Sequence, residues 1–163
     1  MIQTNKINTT NLGIAINSYI PKYFKTNEVV PKEVIDSTEE YKIWMLFDSR
    51  ILWTIDRIRE LYGATMVVNN WNSNGPFTLR GWRPFNSNLT PGILVDQHKL
   101  GRAIDFNING VDPSEFVHDV LNNQKQYEFQ FITGLELSPT WNHIDCRNFD
   151  KTKNNNLPLT FKA

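Results

Sequence analysis

Cysteine is nearly missing from this chain: Cys146 is the single example in 163 residues. One thiol excludes an internal disulfide framework and any zinc site built on cysteine alone. An excess of charge is missing too. Seventeen Lys and Arg balance seventeen Asp and Glu, and no basic stripe suggests a nucleic-acid partner. No stretch approaches the roughly 18 apolar residues of a membrane span, so no membrane insertion is expected. The apolar run at residues 12–16 is short and broken by Gly13, unlike a secretory signal. The expectation is a protein made in the cytoplasm without a signal peptide, which meets targets beyond the membrane only after release.

What is present is an ordinary globular composition, 40% apolar and 21% charged, long enough for one buried core. Ser37-Thr-Glu-Glu40 has the spacing of a helix capping box. From there to Gly63 the pattern is helical, with Ile51, Leu52, Ile55, Ile58 and Tyr62 on one side. Gly63 suits a C-cap, and Asp48 is placed to start a separate second helix. After Gly63 the period changes. Residues 64–69 and 77–82 read as strands, joined by a loop of turn-forming residues. Residues 84–97 read as a long loop, which in a small domain points to function. Residues 103–108 read as a third strand. Asp112 and Pro113 open a helix as N-cap and first residue, with Phe116, Val117, Val120 and Leu121 as its buried stripe. Residues 128–133 and 141–146 complete about five short strands. Residues 19–24 read as irregular structure packed over a core, and the polar segment after Lys151 as a fraying tail. Helix, strands, helix, strands in this order predict a small single α+β domain, an antiparallel sheet flanked by helices.

Histidine is scarce, and its placement is informative. Two of the three lie in His98-Lys-Leu-Gly101-Arg-Ala103-Ile-Asp105 and Trp141-Asn-His143-Ile-Asp145. Residues two apart in a strand share a face, so Trp141, His143 and Asp145 point one way while Asn142, Ile144 and Cys146 point the other. Ala103 and Asp105 share a face in the same manner, and the small Ala103 leaves room beside the carboxylate. Gly101 lets the backbone turn before the strand. His98, Asp105 and His143 together offer two imidazoles and a carboxylate, the donor set of a catalytic Zn2+ site with one open position. Such a site activates water, and a carboxylate must carry the proton. Glu136 and Asp145 are the candidates, with Asp145 also suited to hold a ligand histidine in its tautomer. The remaining histidine, His118, falls on a helix and reads as structural or exposed. Cys146 reads as buried, and Trp141 as a wall of the cleft.

These two motifs resemble those of the M15 zinc peptidases, the family of D-Ala-D-Ala carboxypeptidases and phage endolysins. Leu79-Arg80-Gly81-Trp82-Arg83 resembles the family's SGYR segment, and the resemblance runs over residues 30–147. It implies a Hedgehog/DD-peptidase-like fold, zinc on His98, Asp105 and His143, and Arg83 as the arginine that holds substrate or polarises the scissile carbonyl. Arg80, expected on the opposite strand face, is the fallback. Several members carry an acidic residue three positions before the second histidine. This chain has Thr140 there, and its nearest preceding carboxylate is Glu136, which the turn at residues 137–140 could bring back to the metal.

The resemblance implies a hydrolase, a zinc metallopeptidase cleaving peptide bonds in peptidoglycan stem peptides. Its partners would be the wall peptide and components of a bacteriophage particle or lysis system, and its place of action the bacterial cell wall. The alternative is a non-catalytic metal-binding module, structural or wall-recognising, of a phage particle. The expected division is residues 1–36 as an extension packing on the domain, 37–150 as the peptidase-like zinc domain and 151–163 as the tail.

Overall fold

In the computed structural model, the described residues are 19–89, 96–123, 125–137 and 140–162. The expectations for the apolar run at 12–16, for the middle of the long loop and for the centre of the turn after Leu137 fall outside them. The architecture is α+β, with helices and a five-stranded, mostly antiparallel sheet.

The longest helix, α3 (Ser49–Tyr62), forms where the three-and-four spacing is clearest. The Asp48 side chain caps it by accepting from the Arg50 amide, and Gly63 ends it in the left-handed region. The helical segment before it is divided. Ser37 does not open a capping box: α1 (Lys32–Ser37) ends there, with the Ser37 hydroxyl donating back to the Glu33 carbonyl. A short α2 (Glu40–Trp44) follows from Glu39. The fourth helix, α4 (Pro113–Asn122), carries the expected Asp112 cap, completed as a box by Glu115.

The strands are β1 (Met66–Val67), β2 (Ala103–Ile108), β3 (Gly134–Glu136), β4 (Asn142–Asp145) and β5 (Leu159–Phe161), in the order β1-β2-β4-β3-β5. All neighbours run antiparallel except β3 and β5. Alternation along β2 divides the sheet into two faces. Ile104, Phe106 and Ile108 enter the core with Leu135, Ile144 and Cys146, beneath Ile51, Leu52, Ile55 and Ile58 of α3 and Phe116 of α4. Phe106 meets Phe116 edge-on at 5.3 Å. Each large apolar side chain buried here stabilises the fold by roughly 1.5–3 kcal/mol. The opposite face carries Ala103, Asp105 and Asn107.

Three expected elements differ. Residues 77–82 form no strand, because their backbone groups find scattered partners instead of one ladder. The Phe77 amide goes to the Asn70 side chain, that of Arg80 to the Asn69 side chain and that of Trp82 to the Val29 carbonyl. Residues 128–133 hold a 3-10 turn (Tyr127–Phe129), and the strand comes later, at β3. The tail does not fray: Asp150 caps a 3-10 turn (Lys151–Asn154), and β5 pairs with β3. The sheet therefore extends past residue 150, and the expected boundary there is corrected. Residues 19–24 are irregular as expected, held to α3 by buried Asp56, which accepts from the Tyr19 hydroxyl and the amides of Lys22 and Tyr23. Among the described residues no helix is long and apolar enough to cross a membrane.

Gly101 fixes how β2 begins. Its φ is +65°, and a Cβ there would lie 1.9 Å from the Leu46 carbonyl oxygen. Its own carbonyl accepts from the Asp48 amide at the start of α3. Gly101→Ala is expected to cost on the order of 3 kcal/mol, combining left-handed strain with a backbone clash. A denaturant midpoint unchanged in the variant would refute this.

Candidate metal centre

Asp105 on β2 and His143 on β4 are direct cross-strand partners. Such pairs bring Cβ atoms to about 4.5–5.5 Å, so a carboxylate and an imidazole on one face must meet. The His143 Nδ1 lies 2.6 Å from Asp105 Oδ1. His98 reaches the same point from a turn at the mouth of β2, its Nε2 3.2 Å from His143 Nδ1 and 3.3 Å from Asp105 Oδ1. All three residues are buried. Their ligand atoms lie within 4.8 Å of one another, the one such group among the described residues, and it could hold a metal ion.

Hydrogen bonding prepares these atoms for a cation. His98 Nδ1 is 2.8 Å from the Gly81 carbonyl. A carbonyl only accepts, so Nδ1 carries the proton and Nε2 turns its lone pair inward. Burial lowers the His98 pKa below the usual range despite Asp105, which keeps the ring neutral. The His98 amide donates to Asp96 Oδ1, which fixes the turn. Burial pushes the Asp105 carboxyl up, but the two histidines outweigh it and hold the group well below the carboxylate range. Its second oxygen accepts from Arg83 Nη2 at 2.8 Å. His143 is pulled down by burial, yet Asp105 and Asp145 together raise it to about 9. The cluster attracts positive charge, which a metal ion or a proton can supply.

The sheet register extends the row. β3 pairs Gly134 with Asp145 and Leu135 with Ile144; one step on, Glu136 stands opposite His143. Across β5, Glu136 is aligned with Phe161. Asp105, His143, Glu136 and Phe161 thus cross four strands on one face. They line a cleft of about 870 Å³ with His98, Arg80, Arg83, Arg147, Phe77 and Trp141 among its walls. Glu136 is 8% exposed and its Oε1 has no hydrogen-bond partner among the described residues. Burial and Asp105 push its pKa up, against His143 and Arg83.

Comparison with family models, curated proteins and solved structures finds no match to this chain.

The structure brings His98, Asp105, His143, Glu136 and Arg83 together, with changed roles for some neighbours. Asp145 is fully buried and stands behind His143, its Oδ2 3.5 Å from Nε2, a long contact that orients the ring more than it bonds it. Arg147 pairs with both Asp145 oxygens. That placement suits a support for the ligand ring, the second of the two roles expected for Asp145. Gly134 makes room for it, since a Cβ there would come within 2.3 Å of Asp145 Oδ1. Arg83 is occupied: Nε donates to the Leu79 carbonyl, Nη2 to Asp105, and Nη1 lies 3.5 Å from Asp96. Arg80 is not on an opposite face; it lines the same cleft. The segment 79–83 acts as a brace, because the Arg80 carbonyl also takes the Asp105 amide at 2.7 Å.

Thr140 is exposed, and its carbonyl accepts from the Asn107 amide group. His118 is exposed on α4. Burial pushes the Cys146 thiol up to about 12, so at neutral pH it stays protonated and inert. Sequence reasoning missed Arg147, Asp96 and Phe161. Extending the alternation of β4 by two would have found Arg147, and Asp96 has the spacing of an Asx turn before His98. Phe161 had no local signal.

Proposed function

We propose that the protein is a zinc-dependent peptidase acting on peptidoglycan stem peptides. The observation that carries the reading is the row Asp105–His143–Glu136 across three strands, with His98 closing over its first two members. Two of the three ligand separations, 3.2 and 3.3 Å, match the roughly 3.3 Å edge of a tetrahedron with bonds near 2.0–2.1 Å; the third, 2.6 Å, is that of the hydrogen bond joining His143 to Asp105. Two nitrogens and one oxygen, with no thiolate, fit a hydrolytic zinc centre better than a closed structural one. The likeness of the two histidine motifs to M15 peptidases supplies the substrate class, and with it action at the bacterial wall as part of a phage lysis or particle system.

Bound zinc supplies Lewis acidity beside the cleft. The chain's own residues do the rest. Glu136 stands next to His143, desolvated and with a raised pKa, the state of a group that takes a proton from attacking water and returns it to a leaving amine. Arg83 holds Asp105 Oδ2 and leaves Oδ1 as a single donor. Asp145 and Arg147 keep the His143 ring in place. Phe77, Trp141 and Phe161 give the substrate apolar walls.

Zinc-loaded protein incubated with purified peptidoglycan is expected to release new amine termini, with fragments identified by mass spectrometry and release stopped by a chelator. No release above a His143→Ala control would instead support a non-catalytic metal-binding module of a phage particle. The observation favouring that second reading is the neutral, exposed Thr140 where M15 members often carry an acid.

A further inference from the structure

Metal-binding histidines ordinarily give their second ring N–H to a carboxylate or a carbonyl, which fixes the ring. His98 does so through Nδ1 and the Gly81 carbonyl. His143 does not: its Nε2 has no hydrogen-bond partner among the described residues, and Asp145 Oδ2 stands 3.5 Å off. Phe161 supplies a contact of another kind. The two ring centres are 5.6 Å apart and their planes cross at 76°, the edge-to-face arrangement that aromatic pairs favour. The Phe161 ring also carries Arg147, whose Cζ lies 4.6 Å from its centre. Arg147 in turn pairs with both oxygens of Asp145. Phe161, Arg147 and Asp145 thus form a continuous backing to the His143 ring.

Strand β5 contributes little else. Leu159 and Thr160 are exposed, and none of its three residues joins the main core. Two backbone bonds tie it to β3 and the residues flanking it. The Leu159 amide donates to the Thr133 carbonyl, and the Leu137 amide to the carbonyl of Phe161 itself. Phe161 is the residue of β5 that lines the cleft. We propose that Phe161 is a positioning residue for the metal centre: β5 presents its ring so that His143 is held with Nδ1 toward Asp105 and His98 before a metal arrives. Without the aromatic ring, His143 is freer to turn about its side-chain torsions, and the entropy lost in re-ordering it opposes binding. The proposal rests on reading His98, Asp105 and His143 as a metal centre, and it is tested by metal binding rather than by hydrolysis.

The test uses the full-length protein. Zinc affinity is read by competition with a chromogenic chelator, and ligand geometry by the visible absorption of the cobalt-loaded protein. Phe161→Ala is expected to bind zinc about 10-fold more weakly, the lower end of what loss of a supporting residue costs, with a changed cobalt spectrum. Phe161→Tyr keeps the ring and should restore both readings. Phe161→Leu keeps an apolar side chain without a ring and should behave as the alanine variant does. Thr160→Ala, exposed on the same strand, should leave both readings unchanged. Unaltered zinc affinity in Phe161→Ala would overturn the proposal. So would a leucine variant that binds as tightly as the unmodified protein, since any apolar cover would then suffice. Should Phe161→Ala not fold, the tyrosine and leucine variants decide. An unmodified protein that binds no zinc would sink the proposal and the peptidase reading together. Zinc affinity governed by the ring at position 161, without release of peptidoglycan fragments, would remove the peptidase reading and leave the proposal standing.

Discussion

Replacing His98 or His143 by alanine is expected to abolish stoichiometric metal binding, while His118→Ala leaves it unchanged. The site offers three ligand atoms within 3.3 Å of one another, and no fourth acidic or imidazole side chain joins the cluster among the described residues. Loss of a supporting residue behind a ligand commonly weakens a metal site about 10–100-fold; loss of one of three ligands should do more. His98→Ala also leaves the Gly81 carbonyl without its donor. His143→Ala leaves Asp105 and Asp145 buried on either side of a gap. Metal analysis after equilibrium dialysis reads the first effect. Thermal melting with and without added zinc reads the second, because a ligand that binds only the folded state raises its stability in proportion to ln(1 + [L]/Kd). The unmodified protein should show a zinc-dependent rise in Tm, and the two variants none. One metal per chain in either variant would refute the centre.

Glu136→Gln should keep the metal and lose most of the hydrolytic activity, by about 10²–10⁴-fold. The substitution preserves shape and removes only the ability to carry the proton. Glu136 suits the task better than Asp145 on three grounds. It lines the cleft, whereas Asp145 lies behind the ring. Its Oε1 has no hydrogen-bond partner among the described residues, whereas Arg147 holds both Asp145 oxygens. Its pKa is pushed up, toward the range of a group that both takes and gives a proton, whereas that of Asp145 is held down: burial raises it, but His143 and Arg147 outweigh burial. Asp145→Asn should act through the metal instead, weakening affinity as a lost support does. A fully active Glu136→Gln protein would return the proton transfer to another group.

The elements differ in how far they could be read locally. Helix α3 was legible because spacing, Asp48 and Gly63 all agreed. Helix α4 was legible because Asp112 and Pro113 together form a start signal. The segment 77–82 looked like a strand by composition. Its partners, however, are two asparagine side chains and a distant carbonyl, and no local pattern announces those. Strand β5 was hidden for a similar reason: Leu159-Thr-Phe161 follows an Asn-rich run and becomes a strand only because β3 presents an open edge to it.

The chain by itself determined which side chains could serve the centre. A strand has a period of two, so His143 with Asp145, and Ala103 with Asp105, are assigned to a common face by position alone. Scarcity of histidine and cysteine narrowed the donor set further. Only the tertiary structure decided what stands beside what. Register placed Glu136 opposite His143, the fold set Arg83 on Asp105 and Arg80 over the Phe77 ring, and β5 brought Phe161 to the wall. Those outcomes depend on pairing between segments far apart in the chain. They are set by which long-range closure buries the apolar face of the sheet, and a local pattern does not encode that choice.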